Sequence, residues 1–118
     1  MGTQLNISEI ENLYKEFKEA SLFGKWITFK QIEPLLKKST AIEIGSSENN
    51  IPIYNLEFGK GKKKILIWSQ MHGNEATGTK AVFDLINCLQ SSSEVFIKEI
   101  LKNCTIKIVP MLNPDGAL

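Results

Sequence analysis

Two apolar runs, Ile65-Leu66-Ile67-Trp68 and Thr105-Ile106-Lys107-Ile108-Val109, are separated by two stretches with helical periodicity, and this spacing constrains the fold most. The first run does not alternate, so it reads as a strand covered on both faces, as in a parallel sheet. Between the runs, residues 75–90 place Val82, Leu85, Ile86 and Leu89 on one inward face. A shorter helix capped near Ser93 carries Ile97, Ile100 and Leu101. Strand, helices, strand is a parallel crossover, expected to be right-handed. Parallel neighbours end on one rim, so the loops after Trp68 and after Val109 should share the crevice where open α/β sheets bind ligands.

Upstream the period is two. Ile42 and Ile44 face one way, Ala41 and Glu43 the other, and Ile53 to Phe58 alternates cleanly. This predicts an antiparallel hairpin with one wet face, joined by the loop Ser46-Ser47-Glu48-Asn49-Asn50. Earlier still, Ser8-Glu9-Ile10-Glu11 reads as a capping box, followed by a stripe of Ile10, Leu13, Tyr14 and Phe17. Gly24 ends that pattern. Thr28 with Gln31 predicts a second helix with Ile32, Leu35 and Leu36 inward, which Pro34 should kink or delay. The fold class is therefore α/β: a partial mixed sheet, antiparallel hairpin plus parallel βαβ crossover, flanked by helices. Residues 1–40 form a helical segment leading into residues 41–118, and 118 residues suit one domain.

Fourteen basic residues, all lysine, stand against 13 acidic ones. That near-neutrality argues against nucleic acid or an anionic membrane surface as a partner. The one basic cluster, Lys60-Gly61-Lys62-Lys63-Lys64, lacks interleaved aromatics and reads as a solvated approach to the next strand. Cys88 and Cys104 fit no metal spacing and lie in apolar patterns, as two buried free thiols or one disulfide would. No run has signal-peptide or membrane-spanning length, so a cytoplasmic location is the default expectation. Met1-Gly2 would suit myristoylation, but Asn6 stands where serine or threonine is required.

His72, the only histidine, sits three residues before Glu75, at the junction of the first apolar run and the long helix. An imidazole and a carboxylate there make half of a catalytic zinc site, which usually takes three protein ligands and a water. Glu75 would open the helix, where the positive dipole end favours the ionised carboxylate a metal needs. Gly73 would let the backbone bend between the two. The plainer alternative is a solvent-facing loop histidine beside a glutamate that stabilises a helix N-terminus.

Trp68-Ser69-Gln70-Met71-His72-Gly73-Asn74-Glu75 resembles the first zinc-binding motif of the M14 zinc carboxypeptidases, and Met111-Leu112-Asn113-Pro114-Asp115-Gly116-Ala117 resembles the next. Ile42 to Glu48 and Ile51 to Tyr54 are similar to that family's first hairpin, with a loop one residue longer before Pro52. The resemblance runs from about Lys25 onward. It implies the N-terminal part of a three-layer zinc carboxypeptidase-like fold, with zinc as cofactor and His72 and Glu75 as two of its three ligands. It also implies a peptide or protein C-terminus as substrate of the parent enzyme. The third ligand, the general-base glutamate, a tyrosine and the substrate-binding arginines fall beyond residue 118 in that family. No residue here is assigned to catalysis or substrate binding, and Asn113 and Asp115 are expected to shape a turn. Cys88 lies too far along the helix to complete the metal site.

In that family zinc activates water and polarises the carbonyl while a glutamate handles the proton. The fragment alone is expected to be inactive and to hold zinc weakly. Two other readings stand beside this one. They are an acyl-amino-acid deacylase, whose motif also reads His-Gly-Asn-Glu, and a non-catalytic module on the same scaffold. In the family's strand order Ile65–Trp68 would lie at an open edge, which predicts a homodimer through that strand.

Overall fold

The computed structural model describes residues 4–118, so the Met1-Gly2 pair lies outside the described residues. In chain order the elements are α1 (Ile7–Phe17), α2 (Phe29–Lys37), β1 (Ile42–Ser46), β2 (Pro52–Phe58), β3 (Lys63–Trp68), α3 (Thr77–Ser91), α4 (Val95–Asn103) and β4 (Cys104–Val109). The four strands form one mixed sheet in the order β1-β2-β4-β3. β2 pairs antiparallel with both β1 and β4, whereas β3 runs parallel to β4 from Lys63 opposite Cys104 to Trp68 opposite Val109. The expected hairpin plus parallel crossover is therefore present, and β3 occupies the edge.

That edge position corrects one expectation. β3 is not covered on both faces: Leu66 is 60% exposed and Trp68 49%. The central strand is β4, where Ile106 and Ile108 are buried, and Ile108 is fully so. An unbroken apolar run marks a strand meant to be covered, without saying what covers it. β1 departs as well, because it is exposed along its whole length and has no dry face.

The core forms where α2, α3 and α4 meet β2 and β4. Ile32 and Leu36 from α2, Val82, Ile86 and Leu89 from α3, and Ile97 from α4 close over Leu56, Ile106 and Ile108. Phe29 stacks on Tyr54 at 6.3 Å between ring centroids, which seats α2 on β2. α2 begins at Phe29 despite Pro34 in its interior. The intrahelical donor that Pro34 lacks would have met the Lys30 carbonyl, and Lys30 is exposed, so the lost bond leaves no polar group buried. Gln31 Oε1 accepts from the Thr28 N–H at 2.7 Å, as the Thr28–Gln31 pairing predicts.

α1 starts two residues earlier than its serine suggests. Asn6 is the cap: its side chain accepts from the Glu9 N–H at 2.9 Å, and Glu9 returns the bond to the Asn6 N–H at 2.8 Å. Asparagine caps as well as serine, and its partner stands at the required third position. Of the α1 stripe only Phe17 is buried, whereas Ile10 and Tyr14 are each 52% exposed. The end of α1 is held to α3 by polar bonds, from the Glu19 N–H to Asp84 at 2.7 Å and from Asn87 to the Phe17 carbonyl at 3.0 Å. Cys88 and Cys104 are free, half-buried thiols.

Candidate metal centre

As β3 ends, the chain stays bonded to the segment after β4. The Ser69 N–H donates to the Val109 carbonyl at 3.1 Å, the Leu112 N–H to the Ser69 carbonyl at 3.0 Å and the Asn113 N–H to the Gln70 carbonyl at 3.2 Å. The Ser69 hydroxyl donates to the Pro110 carbonyl at 2.5 Å. The two loops expected to share a rim do share it, as a short continuation of the β3–β4 ladder.

Gln70 then turns the chain with φ of 53°, the left-handed region that non-glycine residues seldom adopt. Its side chain is buried, and the three hydrogen bonds it makes all reach other parts of the site. Beyond it His72 and Glu75 are exposed and line one cleft of about 870 Å³, together with Trp26, Trp68, Met71 and Lys80. The Glu75 N–H donates to the His72 carbonyl at 3.0 Å, closing a turn between the two residues.

One local expectation needs correction. α3 starts at Thr77, two residues after Glu75, so Glu75 precedes the helix and gains little from its dipole, which acts over the first turn. Gly73 does lie in the turn between the two residues, though without a left-handed φ. It supplies proximity: a Cβ there would lie 1.8 Å from the backbone C and O of Gly116. The His72 loop and the Asn113–Gly116 turn touch backbone to backbone, and only glycine permits that.

Asn113 shapes its turn as expected, accepting from the Gly116 N–H at 3.0 Å and donating to the Met71 carbonyl at 3.1 Å. Asp115 does something different. Its carboxylate reaches the β1–β2 loop, accepting from the Ser47 hydroxyl at 2.6 Å and the Asn49 N–H at 3.2 Å. That loop turns at Asn50 with φ of 60°, a conformation asparagine tolerates. Sequence reading missed the bonds of Gln70, the reach of Asp115 to the β1–β2 loop and the cleft wall at Trp26, because each depends on a partner distant in sequence.

Imidazole and carboxylate are donors that suit zinc, and both open onto the same cleft. Among the described residues, no third histidine, cysteine, aspartate or glutamate joins them in a group that could hold a metal ion. These two residues therefore fit part of a zinc shell and would need donors from elsewhere to close it.

The zinc carboxypeptidase family, Peptidase M14, matches residues 33–118. This chain belongs to that family. The match begins a few residues later than the Lys25 expected from the motifs. Solved structures agree on the fold. A Burkholderia mallei ATCC 23344 protein assigned as a carboxypeptidase aligns with TM-score 0.70 and 21% identity, over 78% of this chain and 27% of its own. The metallo-carboxypeptidase of Pseudomonas aeruginosa, solved with (2-guanidinoethylmercapto)succinic acid, aligns with TM-score 0.69 and 21% identity over the same shares. Thrombin activatable fibrinolysis inhibitor aligns with TM-score 0.66 and 18% identity, over 92% of this chain and 33% of its own. This chain thus spans about a quarter to a third of the structures it matches. No curated protein matches it. No helix among the described residues is long and apolar enough to cross a membrane.

Proposed function

We propose that this chain is the N-terminal part of the catalytic domain of a zinc metallocarboxypeptidase, and that it supplies two of the three protein ligands of the metal. Residues 41–118 would form that part, with residues 1–40 as a helical segment packed beside it. The observation that carries this reading is the placement of His72 and Glu75 on one turn, facing one cleft at the carboxyl end of β3. The family match to residues 33–118 supports it.

Bound zinc would supply an activated water and polarise the scissile carbonyl. This chain's own part is to present the imidazole nitrogen and the carboxylate oxygen, and to wall one side of the cleft with Trp26, Trp68 and Met71. The remaining ligand, the proton-handling carboxylate and the groups that bind the substrate's terminal carboxylate would come from outside these residues. The 118 residues alone would therefore not turn over. Peptides with a free C-terminus are the substrate class this reading implies.

The test is release of the C-terminal residue from a blocked dipeptide. The protein that carries this chain with the rest of its domain should release it only with zinc, and His72→Ala and Glu75→Gln should each abolish release. Full activity in either variant would remove the altered residue from the metal site.

A further inference from the structure

Gln70 is the most heavily engaged side chain near the candidate site, and nothing in the proposed reaction uses it. It is 4% exposed, and its carboxamide bonds in three directions. Nε2 donates to the Ile27 carbonyl at 2.7 Å and to the Gly73 carbonyl at 3.0 Å, while Oε1 accepts from the Thr79 hydroxyl at 2.6 Å. The orientation of the amide is fixed by chemistry, because two carbonyl oxygens can only be met by its NH2. Its main-chain carbonyl accepts from the Asn113 N–H at 3.2 Å. One residue thus joins the segment before α2, the His72 loop, the first turn of α3 and the loop after β4.

The segment before α2 lies outside the family match, which begins at residue 33. It is nevertheless bonded to the site twice, at Ile27 through Gln70 and at Gly24, whose carbonyl accepts from Lys80 Nζ at 2.8 Å. Trp26, between these two anchors, lines the cleft. Among the described residues, neither the His72 imidazole nor the Glu75 carboxylate takes part in a hydrogen bond or ion pair. Their aim then depends on the path of the backbone, and Gln70 holds that path on both sides of His72, through its own φ of 53° and through Gly73.

We propose that Gln70 is the positioning residue of the His72–Glu75 pair, and that through the Ile27 carbonyl it makes the segment before α2 a wall of the same site. This rests on the metal-ligand reading above. Glutamate at position 70 has the same shape but no NH2, so it would set an acceptor against the Ile27 and Gly73 carbonyls. Thr79→Val is the milder variant, removing one bond and leaving the NH2 contacts in place.

The experiment follows the metal-free chain by amide hydrogen exchange and then adds zinc ions while observing the His72 imidazole by NMR. In Gln70→Glu, amides of residues 71–76 and 26–28 should exchange about tenfold faster while those of Ile106 and Ile108 keep their rates. The zinc concentration at half-shift should rise about tenfold, the usual scale for losing a partner behind a metal ligand. Thr79→Val should move both readouts the same way by less, and it decides the matter if Gln70→Glu does not fold. Unchanged loop exchange, or an unchanged zinc midpoint, would overturn the proposal. Failure of zinc to move His72 in the unaltered chain would instead refute the metal reading, and the exchange data would still decide whether Gln70 fixes the loop.

Discussion

Asp115 accepts a 2.6 Å hydrogen bond from the Ser47 hydroxyl, so the β1–β2 loop is fastened to the rim that carries His72. The two residues follow the strands that flank β2 in the sheet, one after β1 and one after β4. Together with the Asn49 N–H, this makes Asp115 a two-point anchor for a loop whose strand, β1, is otherwise exposed. Hydrogen bonds to a charged acceptor are worth about 1.5–3 kcal/mol when sheltered, and less at a half-exposed site. Asp115→Ala should therefore cost about 1–2 kcal/mol in urea denaturation. Amide exchange should rise in residues 47–51 first. Unchanged stability would mean that the loop is held by its own turn.

Gly73→Ala should be far more damaging than its chemistry suggests. The new Cβ would fall 1.8 Å from the Gly116 backbone, and backbone cannot step aside as a flexible side chain can. Overpacking of this kind costs about 3 kcal/mol or more. Gly45→Ala, where a Cβ meets nothing within 4 Å, is the matched control and should stay within about 0.5 kcal/mol. Equal effects at the two positions would contradict the close approach of the two loops.

Burial pushes the Cys88 thiol above its ordinary value, the Ser92 hydrogen bond pulls it down, and the Glu16 and Glu94 carboxylates push it further up. The folded state therefore keeps its proton at a pH where the unfolded chain has lost it. This contribution to stability is fully present below the ordinary thiol pKa, about 8.5, and is lost as pH rises through the folded value. In a Cys104→Ser background, the reaction of Cys88 with a disulfide reagent should reach half-maximum at higher pH than for a small free thiol. Stability should fall as pH rises from 8 toward 10 on the same titration. A half-maximum at or below that of the free thiol would show that the charged form is not disfavoured.

How much of this was legible beforehand depends on the range of the interaction. The antiparallel hairpin, the helices, the parallel crossover and the shared rim all follow from local spacing, and all are present, although β1 lacks the alternating burial its period-two pattern predicts. Gln31 returning a bond to Thr28 is equally local. The exposure of Leu66 and Trp68 was not legible, because an apolar run reports a preference for burial and not a neighbour. The role of Gln70 was out of reach for the same reason: its partners Ile27 and Thr79 lie 43 and nine residues away. Asn6 was missed where Ser8 offered a more familiar cap, although Glu9 stood at the right spacing from Asn6. That His72 and Glu75 open onto one cleft was legible, since both lie on one turn.

The open edge of β3 leads us to propose that the isolated chain forms a two-fold dimer. The Ser69 N–H points to Val109, so the odd-numbered residues of β3 face β4, and the backbone groups of Lys64, Leu66 and Trp68 face outward unpaired. Antiparallel pairing centred on Leu66 would satisfy all of them and set Lys64 opposite Trp68 of the second copy, a favourable cation–aromatic contact. A register centred on Lys64 would instead oppose like charges. Light scattering should show mass rising toward a dimer at micromolar concentration, and Leu66→Pro should return it to monomer. A monomer that persists as concentration rises would mean the edge is shielded.

The central claim is that His72 and Glu75 act together on one metal ion, and zinc titration of the chain followed at both side chains by NMR tests it most directly. With one shared ion, the imidazole and carboxylate signals should move with a single midpoint. Removing a partner behind a metal ligand already costs about tenfold, so Glu75→Ala should raise the His72 midpoint by at least that much. A His72 midpoint that is the same with and without Glu75 would contradict the account, leaving the histidine as an ordinary exposed imidazole.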